Sequence, residues 1–320
     1  MLAPSQWFGF DRDHIRLTDV LRPTIGSVSI SSPNADLRVS PHGWLRYLHR
    51  KAHGADDWSR GHPPGPDWDA SPDGRPRRDL LDSALAVAAV AQRTPAWIEP
   101  HVAVLDRLIE RHLGWCAAAD WLTATGWSSE GGTETGNYRS DLLDVDDMID
   151  FKASLLLLLG LRSMLRRDER WQEPFDLLVD GPRSLRWSYS DLAERLADQW
   201  AANPRLRSED GRSHADDLAL LGLGLRLHAI RFGSSHHEHP FDQWWHRTGG
   251  LDDPEPALGA ARSTSLRTAL FLAPQSPEAA LEFFAVACSS IVEQLTTGFD
   301  DCDLAIALLL TREWGLADLE

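Results

Sequence analysis

The segment Asp144–Arg162, DVDDMIDFKASLLLLLGLR, narrows what this chain can fold into more than any other stretch. Its uncharged run, Ala153 to Leu161, is nine residues long, with Lys152 before it and Arg162 after it. A helix that crosses a bilayer needs about 20 apolar residues. No other segment is long enough either, so no membrane span is expected, and the leucines belong in a globular core as part of a helix over Asp146–Leu165. The opening residues MLAPSQWFGFDRDHIR carry no basic stretch followed by an apolar one, so they do not read as a secretory signal. The expected location is the cytoplasm.

Charge removes a class of partners. The 320 residues hold 32 Lys+Arg against 48 Asp+Glu, a net charge of −16. A protein that grips a phosphate backbone wants a basic face, so nucleic acid and anionic membranes are not expected partners. Cys116, Cys288 and Cys302 form neither a zinc-type CxxC pair nor a disulfide framework, and fit reduced thiols. The sequence has 14 tryptophans beside 3 tyrosines. Each tryptophan adds a large apolar surface with one N–H to satisfy, which suits a core or an aromatic-lined cavity.

Apolar periodicity is helical almost throughout. Helices are expected over Leu80–Gln92, Ile98–Leu113, Asp146–Leu165, Ser190–Ala202, His214–Ile230, Thr264–Leu272, Pro277–Thr296 and Asp301–Trp314, with shorter ones at Gly43–His53, Arg170–Val179 and Phe241–His246. Ser190 reads as an N-cap before Asp191, and Pro277 follows Ser276 where a first-turn proline belongs. Gly26–Ser31 is the best strand candidate. Residues Ala55–Arg78 are rich in Gly, Pro and Asp and read as a long loop. The expected class is all-α. The expected organisation is an N-terminal extension and loop over 1–77 and a helical domain over 78–320, either an (α/α)6-barrel-like toroid or a plain bundle.

Several blocks carry a resemblance. Phe151-Lys152-Ala153-Ser154-Leu155, the apolar run to Gly160-Leu161, the turn Asp168-Glu169-Arg170-Trp171, Ala201-Ala202-Asn203-Pro204 and the stretch Phe299–Gly315 together resemble the linalool dehydratase-isomerase family. The resemblance implies an (α/α)6 barrel, acid–base chemistry on an isoprenoid alcohol, and homo-oligomers with sites near subunit contacts. The family's catalytic histidine falls on Ser154, and its active-site cysteines have no counterpart near Ser208 and Asp217. The family's last helical segment is not expected in this chain, so a homo-oligomer or a completing chain is expected to cover the open side.

The candidate catalytic residues are Asp147, Asp150, Ser154 and Asp217. At helical spacing Asp147, Asp150 and Ser154 share one face. Acidic residues in a first turn are favourable against the helix dipole, which accounts for Asp144, Asp146 and Asp216. Asp150, read as the start of the second turn beside the leucines, is the candidate general acid or base, because an apolar surround keeps a carboxyl protonated. Asp217 would be its partner and Ser154 an orienting hydroxyl. Trp121, Trp127, Tyr138, Phe151 and His214 would contact a small apolar substrate. No cofactor is expected under this reading. An alternative comes from Asp146-Asp147-Met148-Ile149-Asp150, the DDxxD spelling of cyclases that ionise a prenyl diphosphate with Mg²⁺. A third reading is a helical barrel that binds an apolar ligand without chemistry. His236, His237 and His239 lack HExxH spacing and are expected in a solvated loop.

Overall fold

The computed structural model describes residues 41–54, 75–116, 143, 148–180, 183–208, 213–234, 238–248, 266–293, 306–307 and 309–311. These residues are mostly helical, in agreement with the all-α expectation. The strand candidate Gly26–Ser31, residues 55–74 of the loop expected over Ala55–Arg78, Asp144–Asp147, Trp121, Trp127, Tyr138, His236 and His237 lie outside the described residues; Arg75–Arg78 and His239, expected in loops, are helical instead. Among the described residues no helix is long and apolar enough to cross a membrane.

The chain divides into two compact units. The larger contains α1 (Pro41–His53), α2 (Arg75–Arg93), a 3₁₀ turn (Pro95–Trp97), α3 (Ile98–Cys116), α4 (Ile149–Leu165), β1 (Phe175–Asp180), β2 (Arg183–Trp187) and α5 (Tyr189–Ala202). It also takes residues Gly224–Gln243, which include the second half of α6 (Ala215–Phe232) and the start of α7 (Glu238–Thr248).

The five leucines answer the question their sequence poses. From Phe151 to Arg162 every residue of α4 is buried, and Leu155–Leu159 are at most 1% exposed. A helix that is apolar on every side belongs inside the protein. Five buried leucines contribute on the order of 10 kcal/mol of burial, which outweighs the roughly 1 kcal/mol helix cost of Gly160. Helices α2 and α3 pack on α4, and α5 packs on it too. Two glycines set the spacing against α6. A β-carbon at Gly160 would lie 3.0 Å from Leu227 and 3.1 Å from Tyr189 Oη, and one at Gly224 would lie 3.0 Å from Leu156. Gly224 thus lets α6 pack closely on α4.

Three local expectations need correction. Helix α4 begins at Ile149, not Asp146, because its N-cap Met148 takes a left-handed conformation (φ 66°) that a right-handed helix cannot run through. That conformation is uncommon for a non-glycine residue. The Ile149 amide is satisfied by the Arg207 carbonyl at 2.9 Å. Second, residues expected to be helical from Arg170 to Val179 instead enter an antiparallel hairpin, with Phe175 opposite Trp187, Leu177 opposite Leu185, and an irregularity between Leu178 and Asp180. Third, the N-cap of α5 is Ser188, not Ser190. Ser188 Oγ accepts from the Asp191 amide at 3.1 Å, and Asp191 Oδ2 accepts from the Ser188 amide at 3.1 Å. This reciprocal pair is a capping box.

The smaller unit contains Ser213–Leu223 and the residues from Trp244 onward. Residues 266–272 are helical (α8), followed by α9 (Pro277–Glu293), in which Pro277 takes the expected first position. Gln275 Nε2 donates to the carbonyls of Ala219 at 2.9 Å and Phe271 at 2.8 Å, tying the start of α6 to the end of α8. Phe283 and Phe284 are buried, and the Phe283 ring lies 6.3 Å from that of Trp245.

Candidate functional site

Asp150 is the acidic residue of the first turn of α4. The later helix start thus moves it from the second turn into the position where the helix dipole favours a carboxylate. Its exposure still sets it apart. From Met148 to Arg162 it alone is not buried, although its Oδ1 is itself out of solvent. The carboxyl stands at the border between the leucine core and accessible space. Ser154, one turn on, is buried at 7% exposure.

Neighbouring residues of α4 have definite partners. Phe151 is buried and stacks on His112 of α3, with ring centroids 4.5 Å apart and planes 6° from parallel. His112 Nε2 lies 3.1 Å from the Phe151 carbonyl. A carbonyl can only accept, so Nε2 carries the proton. Phe151, expected to touch substrate, therefore packs inside the larger unit. Lys152, which in the sequence merely ends the apolar run, is 1% exposed, and its Nζ donates to Gln199 Oε1 of α5 at 3.3 Å. Gln199 Nε2 in turn donates to the Leu143 carbonyl, which aims Oε1 at the lysine.

Asp217 and His214 belong to the smaller unit and are half-buried. Asp216 beside them is the buried one, at 4% exposure. The sequence treats Asp216 as an ordinary first-turn acid, and the buried position falls to it because its side chain lies on the inner face of α6. Ser208 is buried in the larger unit. Trp121, Trp127, Tyr138 and Asp147 lie outside the described residues. No group of three or more potential metal-ligating side chains occurs among the described residues.

The densest polar cluster is one that the sequence does not reveal. Arg162, at the far end of α4, donates through Nε to Asp106 Oδ1 at 2.9 Å and through Nη2 to Asp168 Oδ2 at 2.7 Å, with a further short contact from Nη1 to Asp168. Asp106, on α3, also accepts from Arg170 Nη1 at 2.9 Å and Trp171 Nε1 at 2.8 Å. Burial opposes the charge on Arg162, but its hydrogen bonds and charge attraction to Asp168 and Asp106 outweigh that and raise its pKa. The hydrogen bond from Arg162 is the main reason that Asp168 titrates below the usual carboxylate range. The turn Asp168-Glu169-Arg170-Trp171, one of the blocks behind the family resemblance, thus serves here as a clamp between α3 and α4. Every acceptor in it faces a donor from the protein itself, which is how a structural ion network is built.

No protein-family model and no curated protein matches this chain.

Proposed function

We propose that the Asp150 end of α4 is an acid–base site for a small apolar substrate, catalysing dehydration, isomerisation or cyclisation of a terpenoid-like molecule within an (α/α)6-type helical domain. The observation that carries this reading is the border position of Asp150, the one residue between Met148 and Arg162 that is not buried, with one oxygen shielded. A carboxyl beside an apolar wall is suited to hold a proton and pass it to an alkene or hydroxyl. Ser154, one turn away, would orient it. In this reading the chain assembles as a homo-oligomer or with a completing chain.

The test is turnover of linalool by the full chain, followed by gas chromatography of alkene products. Asp150→Asn keeps the size and most hydrogen bonding and removes the titrating proton, so it should cost about 10²–10⁴-fold, while Asp146→Asn changes little. Full activity in Asp150→Asn removes this residue from the mechanism. Geranyl diphosphate with Mg²⁺ is the comparison substrate: chelator-sensitive turnover that both substitutions weaken would favour the prenyl diphosphate reading. Recovery of unaltered linalool bound to the protein would favour the binding reading.

A further inference from the structure

A second polar cluster, apart from Asp150, lies where α5 begins. Ser190 is the second residue of that helix, and its hydroxyl lies 3.0 Å from Gln172 Oε1 and 3.3 Å from His228 Nε2. His228 comes from the part of α6 that belongs to the same compact unit. We propose that Ser190 and His228 form a nucleophile–base pair that accepts the acyl group of a small ester.

Four observations support this. First, the hydrogen-bond chain can run in either direction. With the Gln172 amide in one orientation, the serine proton goes to Gln172 and His228 donates to Oγ. With the amide turned over, which leaves its shape unchanged, Gln172 donates to Oγ and the serine proton points to His228 Nε2. The second arrangement is the one in which a histidine removes the proton of a serine. Second, exposure is divided suitably: His228 is 6% exposed, whereas Ser190 is half-buried. A shielded base therefore stands behind an accessible nucleophile.

Third, the position on α5 supplies a donor. The Tyr189 amide is taken by the Trp171 carbonyl at 2.9 Å and the Asp191 amide by Ser188 Oγ. The Ser190 amide, in the first turn, has no carbonyl of its own helix to meet. It can donate to the oxyanion that develops when Ser190 Oγ attacks, and the positive end of the helix dipole favours that charge. The capping box holds this turn rigid. Fourth, the surround is apolar. The Tyr189 ring meets His228 edge-on at 4.9 Å, and Phe232, one turn after His228, lies 4.7 Å from its ring and is 40% exposed. Phe232 forms a lip suited to a short hydrocarbon acyl chain.

In the reaction, Ser190 Oγ bonds to the ester carbonyl carbon as its proton passes to His228 Nε2. The carbon–oxygen bond to the alcohol breaks, and the alcohol leaves with that proton. Water then attacks the acyl-serine, giving a proton through His228 back to Ser190 Oγ, and the carboxylic acid departs.

The experiment is covalent labelling of the folded full chain with a fluorophosphonate, read by intact mass and by the mass of the Ser190 peptide. The expected result is a single adduct at Ser190 with loss of HF, slowed when excess p-nitrophenyl acetate is present during labelling. Labelling should vanish in Ser190→Ala and slow about 100-fold in His228→Gln, and should persist in Asp150→Asn, which separates this site from the acid–base site. Circular dichroism of each variant checks folding. Unmodified wild-type protein, or an adduct at another residue, overturns the proposal whatever the variants do, as does equal labelling of a folded His228→Gln.

Discussion

Gly224 is seated directly against Leu156: a β-carbon there would lie 3.0 Å from Leu156 Cγ and Cδ2 and 3.2 Å from the Leu157 amide nitrogen. Leu156 is fully buried, and a backbone nitrogen in the middle of α4 cannot swing aside. Alanine would gain about 1 kcal/mol of helix propensity but force overpacking that costs about 1–3 kcal/mol. Gly224→Ala should therefore lower the melting temperature by a few degrees. Gly114, near the end of α3, has nothing within 4 Å of the same position. Gly114→Ala should leave stability unchanged or raise it slightly, and thermal denaturation of the two variants side by side checks the contrast.

The clamp at the other end of α4 should be unequal in its parts. Asp106 is nine-tenths buried and faces a buried Arg162, while Glu110 and Arg170 are both exposed. Asp106→Ala leaves the Arg162 charge without its α3 partner and should cost about 3–5 kcal/mol. Glu110→Gln should cost less than about 1 kcal/mol. Urea denaturation of the variants at low and high salt tests both the ranking and the expected salt-insensitivity of the Asp106 effect.

Acid should weaken the fold in two stages. Thr94 gives its hydroxyl proton to the Val90 carbonyl at 2.8 Å, so it can only accept from His101 Nε2 at 2.9 Å. His101 is 1% exposed, and Nδ1 has no hydrogen-bond partner among the described residues. Burial lowers its pKa from 6.5. The folded state then binds fewer protons than the unfolded state, so stability falls as pH drops below about 6.5 and stops falling below the folded pKa. Asp168 acts lower on the scale. Its pKa is depressed from 3.8 by Arg162, so its contribution is complete above the unfolded value and is lost as pH falls through the folded one. Denaturation midpoints between pH 3 and 8 should show both slopes, with the upper one flattened in His101→Gln.

Removing the cap of α5 should be measurable and local. Ser188→Ala should cost about 1 kcal/mol, and Ser188→Asp should recover most of it. Equal stability of Ser188→Ala and the parent chain in chemical denaturation would assign the cap elsewhere.

That cap also shows how much of the local structure the sequence carries. Ser188 and Ser190 both precede helical periodicity, but only Ser188 has an acidic residue, Asp191, three positions on, where Ser190 has Ala193. The capping-box spacing therefore marks Ser188, and the structure agrees: Tyr189 is buried and its amide is bound by Trp171. The leucine helix was legible because nine uncharged residues between two basic ones admit few environments. Its first residue was not, because nothing about methionine announces a left-handed backbone at Met148. The hairpin was hidden by leucines at a spacing that also suits a helix, although Asp180-Gly181-Pro182 is a strong turn signal. At the candidate site, the face shared by Asp150 and Ser154 follows from periodicity alone. Asp106, a partner of Arg162, and Gln199, a partner of Lys152, lie 56 and 47 residues away, and long-range pairing of that kind leaves no mark in a single sequence.

The buried run of leucines in α4 has a consequence before folding is finished. While the chain is still open, Leu155–Leu159 form a sticky, uncharged strip that other copies can bind, and such strips seed aggregates unless charges flank them. Lys152 and Arg162 flank this one. Both end up buried in the folded protein, where charge is costly, yet on the nascent chain they stand at the two ends of the strip as gatekeepers. Replacing either with a hydrocarbon side chain would preserve much of the packing volume while removing the repulsion that keeps newly made chains apart, so the loss would appear first as insoluble material during synthesis and refolding.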